Sequence, residues 1–271
     1  MSEFVLEIHH LRKAFGALIA TDDVTLSIRK GETHALIGPN GAGKTTLVGQ
    51  LTGELRPDAG RITFDGRDIT DLPTARRARL GLARSFQITS IFDSFTAEGN
   101  VALAVQATEP HSFRFWTPAE RIARLRQPAR RLLQDVGLGR LGNLIASRMS
   151  HGQHRQLELG MALAIHPVML LLDEPMAGLG IEESRAMSQL LASIKGQYTI
   201  LLIEHDMDVV FALADRISVL VGGRIIASGT ADEIRNHPAV RVAYLGEEDD
   251  ELDADGLFSY THLTLPTKRI V

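Results

Sequence analysis

The run Gly38-Pro39-Asn40-Gly41-Ala42-Gly43-Lys44-Thr45-Thr46 constrains this chain of 271 residues more than any other. It has the spacing G-x-x-x-x-G-K-[ST] of a phosphate-binding loop. At average residue usage, that pattern arises by chance about 0.01 times in a chain of this length. The flanks fit as well. Thr33-His34-Ala35-Leu36-Ile37 reads as a buried strand, and helical periodicity predicts a helix from residue 45 to about 55. The residue types suit the chemistry. Glycines let successive backbone N–H groups turn inward to form an anion nest. The helix that follows aims its unpaired N–H groups and its dipole at the same point. Lys44 supplies a point charge to β- and γ-phosphate oxygens, and the Thr45 hydroxyl is a candidate ligand for Mg²⁺. All nine residues from 38 to 46 are therefore candidate nucleotide contacts.

A phosphate loop needs a strand before it and, in an α/β protein, further parallel strands beside it. The N-terminal third has strand patterns at residues 4–8, 24–28, 33–37 and 61–64. From about residue 95 to 166 they give way to arginine-rich helical periodicity, with Arg121, Arg124, Arg130 and Arg131 interleaved with Ile122, Leu125, Leu132 and Leu133. We read this segment as a helical insert. β/α alternation then resumes: strands at 168–172, 199–203 and 217–221, helices at 182–194 and 207–214. The unbroken run Val168-Met169-Leu170-Leu171-Leu172 predicts a strand covered on both faces, as in a parallel sheet. The longest apolar stretch, residues 161–172, is interrupted by His166 and Pro167 and falls short of the roughly 18 residues of a membrane-crossing helix. The opening Met1-Ser2-Glu3 has no basic, apolar leader pattern. There are no cysteines, which excludes a disulfide framework, a thiolate metal site and a cysteine nucleophile.

Phosphoryl chemistry also needs an acid at the metal and a group to orient water. Met169-Leu-Leu-Leu-Asp173-Glu174-Pro175 offers both at a strand end, where α/β sheets place their ligands. Asp173 is the candidate metal ligand and Glu174 the candidate general base.

With these residues in order, the chain resembles an ATP-binding-cassette (ABC) ATPase, and the likeness spans about residues 3–246. The resemblance implies an α/β fold: a P-loop NTPase core, an N-terminal antiparallel β subdomain and a helical subdomain at about 95–166. It also assigns further residues. Phe15 stands where the family stacks an aromatic on adenine. Gln87, in Arg84-Ser85-Phe86-Gln87, matches the glutamine that reaches Mg²⁺ and the attacking water. Met149-Ser150-His151-Gly152-Gln153 is similar to the signature pentapeptide Leu-Ser-Gly-Gly-Gln, departing at Met149 and His151. Ser150, His151, Gly152 and Gln153 are thus candidate phosphate contacts. His205, in Ile203-Glu204-His205-Asp206, matches the switch histidine at the γ-phosphate. One departure is sharper: Ala177-Gly178-Leu179-Gly180 lacks the aspartate that usually follows the two acids.

The resemblance implies that two cassettes pack head to tail, as a homodimer or with a paralogue, around two ATP molecules. It also implies transmembrane permease subunits as partners, with a periplasmic binding protein engaged indirectly. The expected location is cytoplasmic, peripheral on the inner face of the inner membrane. The segments 150–163, 175–180, 203–208, 229–235 and 242–246 look like the branched-chain amino-acid uptake subfamily; related importers of urea and short amides share much of this pattern. A soluble ABC ATPase of translation or DNA repair is disfavoured by the single cassette and the short insert. A non-hydrolysing scaffold is disfavoured by Glu174 and His205.

Charge separates the body from the tail. The net formal charge is −4, but residues 247–271 hold seven acids against Lys268 and Arg269 alone. The body is nearly neutral, so no nucleic-acid footprint is expected. The acidic tail reads as disordered, and its final segment resembles a translated sequencing-adapter remnant. No function is assigned to it.

Overall fold

The computed structural model describes residues 3–85, 91–108 and 123–245. The chain opens with a long hairpin, β1 (Phe4–Phe15) and β2 (Leu18–Arg29), then β3 (Thr33–Ile37) and α1 (Lys44–Thr52). Next come β4 (Ala59–Phe64), β5 (Arg67–Asp68), α2 (Thr74–Arg79) and β6 (Leu82–Ser85). The helical segment carries α3 (Ala97–Ala107), α4 (Ala123–Asp135) and α5 (His151–Ala164). The last third runs β7 (Met169–Asp173), α6 (Ile181–Ile194), β8 (Thr199–Ile203), α7 (Met207–Leu213), β9 (Arg216–Val221), β10 (Arg224–Gly229), α8 (Ala231–Arg235) and α9 (Pro238–Leu245).

Two sheets result. The first is antiparallel, ordered β2-β1-β4-β5. The second is ordered β10-β9-β3-β8-β7-β6, parallel throughout except for β10 at its edge. The hairpin strands are longer than the alternation at 4–8 and 24–28 predicts. Register shifts between Ile8 and Leu11 and between Leu11 and Lys13 break the period and so hide the continuation from sequence. The helix after the phosphate loop is shorter than predicted: Gly53, at φ +81°, caps it in the left-handed conformation.

The apolar strands face two ways. In β7, Leu170 and Leu172 join a core with Val101 of α3, Leu125 of α4, Leu157 of α5 and Leu190 of α6. Met169 and Leu171 point to the other face, into a core formed with α1 and the antiparallel sheet. Ile200 and Leu202 of β8 follow the first pattern, Leu201 and Ile203 the second. Each such side chain, wholly removed from water, contributes about 1.5–3 kcal/mol. A third core packs α7, α8 and α9 against β3 and β9. The helical segment therefore leans on one face of the parallel sheet and the antiparallel sheet on the other. Within the helical segment, Thr96 caps α3 by accepting from the Gly99 N–H at 3.0 Å. Glu98 ties α3 to Arg126 and Arg130 of α4.

Because β3, β8 and β7 are adjacent and parallel, their carboxyl ends share one edge. Leu36, Ile203 and Asp173 lie in register across them. The segments that follow, from Gly38, Glu204 and Glu174, emerge side by side.

Candidate functional site

The phosphate loop is held from two sides. A Cβ on Gly38 would lie 2.1 Å from the Leu220 carbonyl oxygen of β9. One on Gly43 would lie 2.1 Å from the Ala20 carbonyl oxygen of β2, and Gly43 has φ +105°. No side chain fits at either position without moving the loop off the sheet and the hairpin. Backbone bonds close the same corner: Gly223 donates to Ala42 at 2.9 Å and Asp22 to Gly223 at 2.8 Å. Gly43 caps α1 without a side-chain acceptor, so the first N–H groups of the helix are offered to the loop interior. Lys44 folds its ammonium over the loop, donating to the carbonyls of Gly38 (2.5 Å) and Pro39 (3.1 Å). Burial lowers its pKa, and the charges of Glu174 and Asp173 oppose that shift. An uncapped helix start, a Cβ-free cradle and a half-buried ammonium together fit a polyphosphate.

Asp173 ends β7 beside Arg84 of β6. The guanidinium donates to Asp173 Oδ2 at 3.1 Å and to Glu54 Oε1 at 2.7 Å. Burial raises the Asp173 pKa, and the bond from Arg84 pulls it back down. The next residue, Glu174, has φ +50°, a conformation uncommon outside glycine. Its N–H donates to the Ile203 carbonyl at 2.9 Å, which pins the turn to β8. The Glu174 side chain is 47% exposed, and its Oε1 lies 3.8 Å from Nδ1 of His205. That is ion-pair range, beyond a hydrogen bond.

Glu204 underlies both loops. Its carboxylate is fully buried and accepts from the Met176 N–H at 2.9 Å and the His205 N–H at 3.1 Å. Burial raises its pKa even against these bonds. Glu204 thus fixes the start of the segment after Glu174 relative to His205.

The structure gathers Lys44, Asp173, Glu174 and His205 along one edge, with Thr45 exposed on the first turn of α1. Phe15 ends β1 at the tip of the hairpin, 48% exposed, with Lys13 Nζ 5.6 Å from its ring centre. Gln87 lies outside the described residues. Residues 150–153 belong to a separate cluster. Ser150 caps α5 in a reciprocal box: its Oγ accepts from the Gln153 N–H at 3.3 Å, and Gln153 Oε1 accepts from the Ser150 N–H at 2.9 Å. Ser150 Oγ and the Gly152 N–H both donate to Glu183 Oε1 of α6, at 2.9 and 3.2 Å. His151 is exposed, with its ring beside Gly178.

Three polar residues of this region are not singled out by sequence reading: Arg84, Glu204 and Glu183. The first two left a trace. Arg84 directly follows the buried pair Leu82-Ala83 in β6, and Glu204 directly follows the apolar run 200–203 of β8. Glu183 has the look of any acid in a helix's first turn.

An α/β cassette with a phosphate loop facing paired acids, joined to a helical segment whose last helix is capped by a serine, is a nucleotide-hydrolysing fold. Residues 21–177 match the family described as ABC transporter, and residues 224–250 that described as branched-chain amino acid ATP-binding cassette transporter. The high-affinity branched-chain amino acid transport ATP-binding protein LivG of Salmonella typhimurium is 40% identical over 254 residues, 91% of this chain and 100% of the relative. The corresponding BraF of Pseudomonas aeruginosa is 38% identical over the same shares. The crystal structure of the ADP conformation of an ATP-binding cassette of an ABC transporter superposes with a TM-score of 0.80 at 31% identity, covering 91% of this chain and 100% of that one. The chain belongs to the ABC transporter family, as an ATPase of its branched-chain amino-acid transport group. Among the described residues, no helix is long and apolar enough to cross a membrane.

Proposed function

We propose that this chain binds ATP with Mg²⁺ and hydrolyses it to drive uptake of branched-chain amino acids through transmembrane permease subunits. The observation that carries the chemistry is the common edge of β3, β7 and β8, where Lys44 faces Asp173 and Glu174. The solute is carried by the similarity to LivG and BraF over nearly the whole chain.

In this reading residues 38–46 hold the β- and γ-phosphates, and Phe15 stacks on the base. Mg²⁺, when bound, neutralises phosphate charge; Thr45, Asp173 and Gln87 are the residues assigned to hold it. Glu174 accepts the proton of a water attacking the γ-phosphorus, the bond to the ADP oxygen breaks, and inorganic phosphate leaves. His205 contacts the γ-phosphate, and Glu204 positions it. Residues 150–153 complete the site of a second cassette, identical or paralogous, so that closure replaces water with fixed donors. ATP favours the closed pair because it contacts both halves there; its hydrolysis releases them. Residues 3–246 act as one cassette, with the helical subdomain at 95–166 engaging the permease on the cytoplasmic face of the inner membrane. A periplasmic binding protein delivers the solute.

The test is ATP hydrolysis by the transporter reconstituted in vesicles with its binding protein. Leucine, isoleucine or valine is expected to stimulate hydrolysis, and Lys44→Ala to abolish it. Stimulation by urea or short amides alone would overturn the solute assignment.

A further inference from the structure

In this subunit the donors at the start of α5 already hold an anion, and it is the protein's own. Ser150 Oγ and the Gly152 N–H converge on a single oxygen of Glu183, at 2.9 and 3.2 Å. A Cβ on Gly152 would lie 2.7 Å from that carboxyl group, so the carboxylate is seated against the bare backbone. The helix dipole of α5, a helix of 14 residues, favours negative charge at this point. Glu183 is only half-buried, on the first turn of α6, and its other oxygen accepts weakly from the Gly180 N–H at 3.5 Å. It can therefore leave without disturbing a core.

We infer that Glu183 is a displaceable internal anion, occupying the phosphate-facing end of α5 in the open subunit and yielding it to nucleotide as two cassettes close. This rests on the proposed role of residues 150–153. One carboxylate oxygen takes the two donors that the γ-phosphate of the opposing site would otherwise meet. Closure must first break both bonds, which raises the ATP concentration at which it occurs. Glu183 also lies only a few residues beyond residues 174–180. Its release links arrival of phosphate on α5 to the segment that leads back to Glu174. Phosphate contact and the acid-bearing loop thus share one switchable bond, at the place where the family's usual aspartate is replaced by Gly180.

The experiment measures ATP hydrolysis against ATP concentration for the assembled transporter carrying the parent chain, Glu183→Gln, Glu183→Ala or Ser150→Ala, with a thermal melt of each variant. Glu183→Gln keeps the shape and removes the charge. It is expected to lower the half-saturating ATP concentration about three- to tenfold, with kcat and melting temperature nearly unchanged, since charge-assisted bonds are the stronger kind. Glu183→Ala is expected to lower it at least as far. Ser150→Ala is expected to lose most turnover. An unchanged or raised half-saturating concentration in Glu183→Gln, with Ser150→Ala impaired, overturns the displacement and leaves the role of Ser150 standing. Full turnover in Ser150→Ala overturns both.

Discussion

Arg77 provides a prediction that can be worked from distances. It lies in α2, 2% exposed, and its guanidinium is spent entirely on backbone oxygens. Nη1 donates to Gln50 (2.6 Å) and Leu51 (2.7 Å) in the last turn of α1, Nε to Leu72 (2.8 Å) and Nη2 to Thr70 (2.9 Å). Burial pulls its pKa down, and only the charge of Asp71 works against that. Arg77→Met fills much of the same volume but leaves four carbonyls without their donor. At about 1–1.5 kcal/mol for each buried acceptor, the loss is about 4–6 kcal/mol. Removing a buried charge that has no salt-bridge partner among the described residues returns part of that, so the net is about 3–4 kcal/mol. For a domain of this size, that lowers the melting temperature by about 10 °C. Gly53 provides a cross-check. A Cβ there would lie 2.8 Å from Arg77 Nε, so Gly53→Ala displaces the same guanidinium. A double-mutant cycle by denaturant unfolding should therefore be less than additive, by about 1 kcal/mol or more. ATP affinity should hold, because the phosphate loop is at the other end of α1. A loss under 1 kcal/mol in Arg77→Met, or strict additivity with Gly53→Ala, would refute the reasoning.

Three further outcomes are expected. Gly43→Ala should abolish ATP binding in a calorimetric titration while leaving the circular dichroism spectrum folded, because its Cβ meets the Ala20 oxygen at 2.1 Å. Glu98 should stabilise the helical segment in a pH-dependent way. Burial would raise its carboxyl, but Arg126 and Arg130 hold it below the ordinary value. A depressed pKa stabilises above the unfolded value and is lost as pH falls through the folded one. Glu98→Gln should therefore cost about 1–2 kcal/mol at pH 7 and as much at pH 5, the difference narrowing only below the ordinary glutamate value of 4.5, in urea titrations. Deleting residues 247–271 should leave ATP hydrolysis within twofold; a tenfold loss would show that the acidic tail takes part.

Much of this was legible because local chemistry and tertiary role coincide. The phosphate loop needs glycine for backbone reasons, and Gly38 and Gly43 are the positions pressed against Leu220 and Ala20. Strands β3 and β8 are predicted to the residue: every position in both is buried, and apart from Thr33, His34 and Thr199 they are filled by apolar residues, as in a strand covered on both faces. The long hairpin was half-legible: past Ile8 its bulges shift the alternation. Strand β10 and helices α2, α8 and α9 were not read at all. The helices are short and take their stability from packing on neighbours, and β10 is a half-exposed edge strand without a buried apolar run. The acids named from sequence, Asp173 and Glu174, stand on the shared edge. The groups that hold that edge in place, Arg84 and Glu204, required the fold, because the partners of Arg84 and Met176, one partner of Glu204, lie far along the chain.

The central claim is that Glu174 activates water at a site whose nucleotide is held by other residues. The most direct test measures ATP binding and hydrolysis side by side for Glu174→Gln. The account predicts ATP affinity within a few-fold of the parent and hydrolysis reduced at least about a hundredfold. Hydrolysis within tenfold of the parent at intact affinity would contradict it.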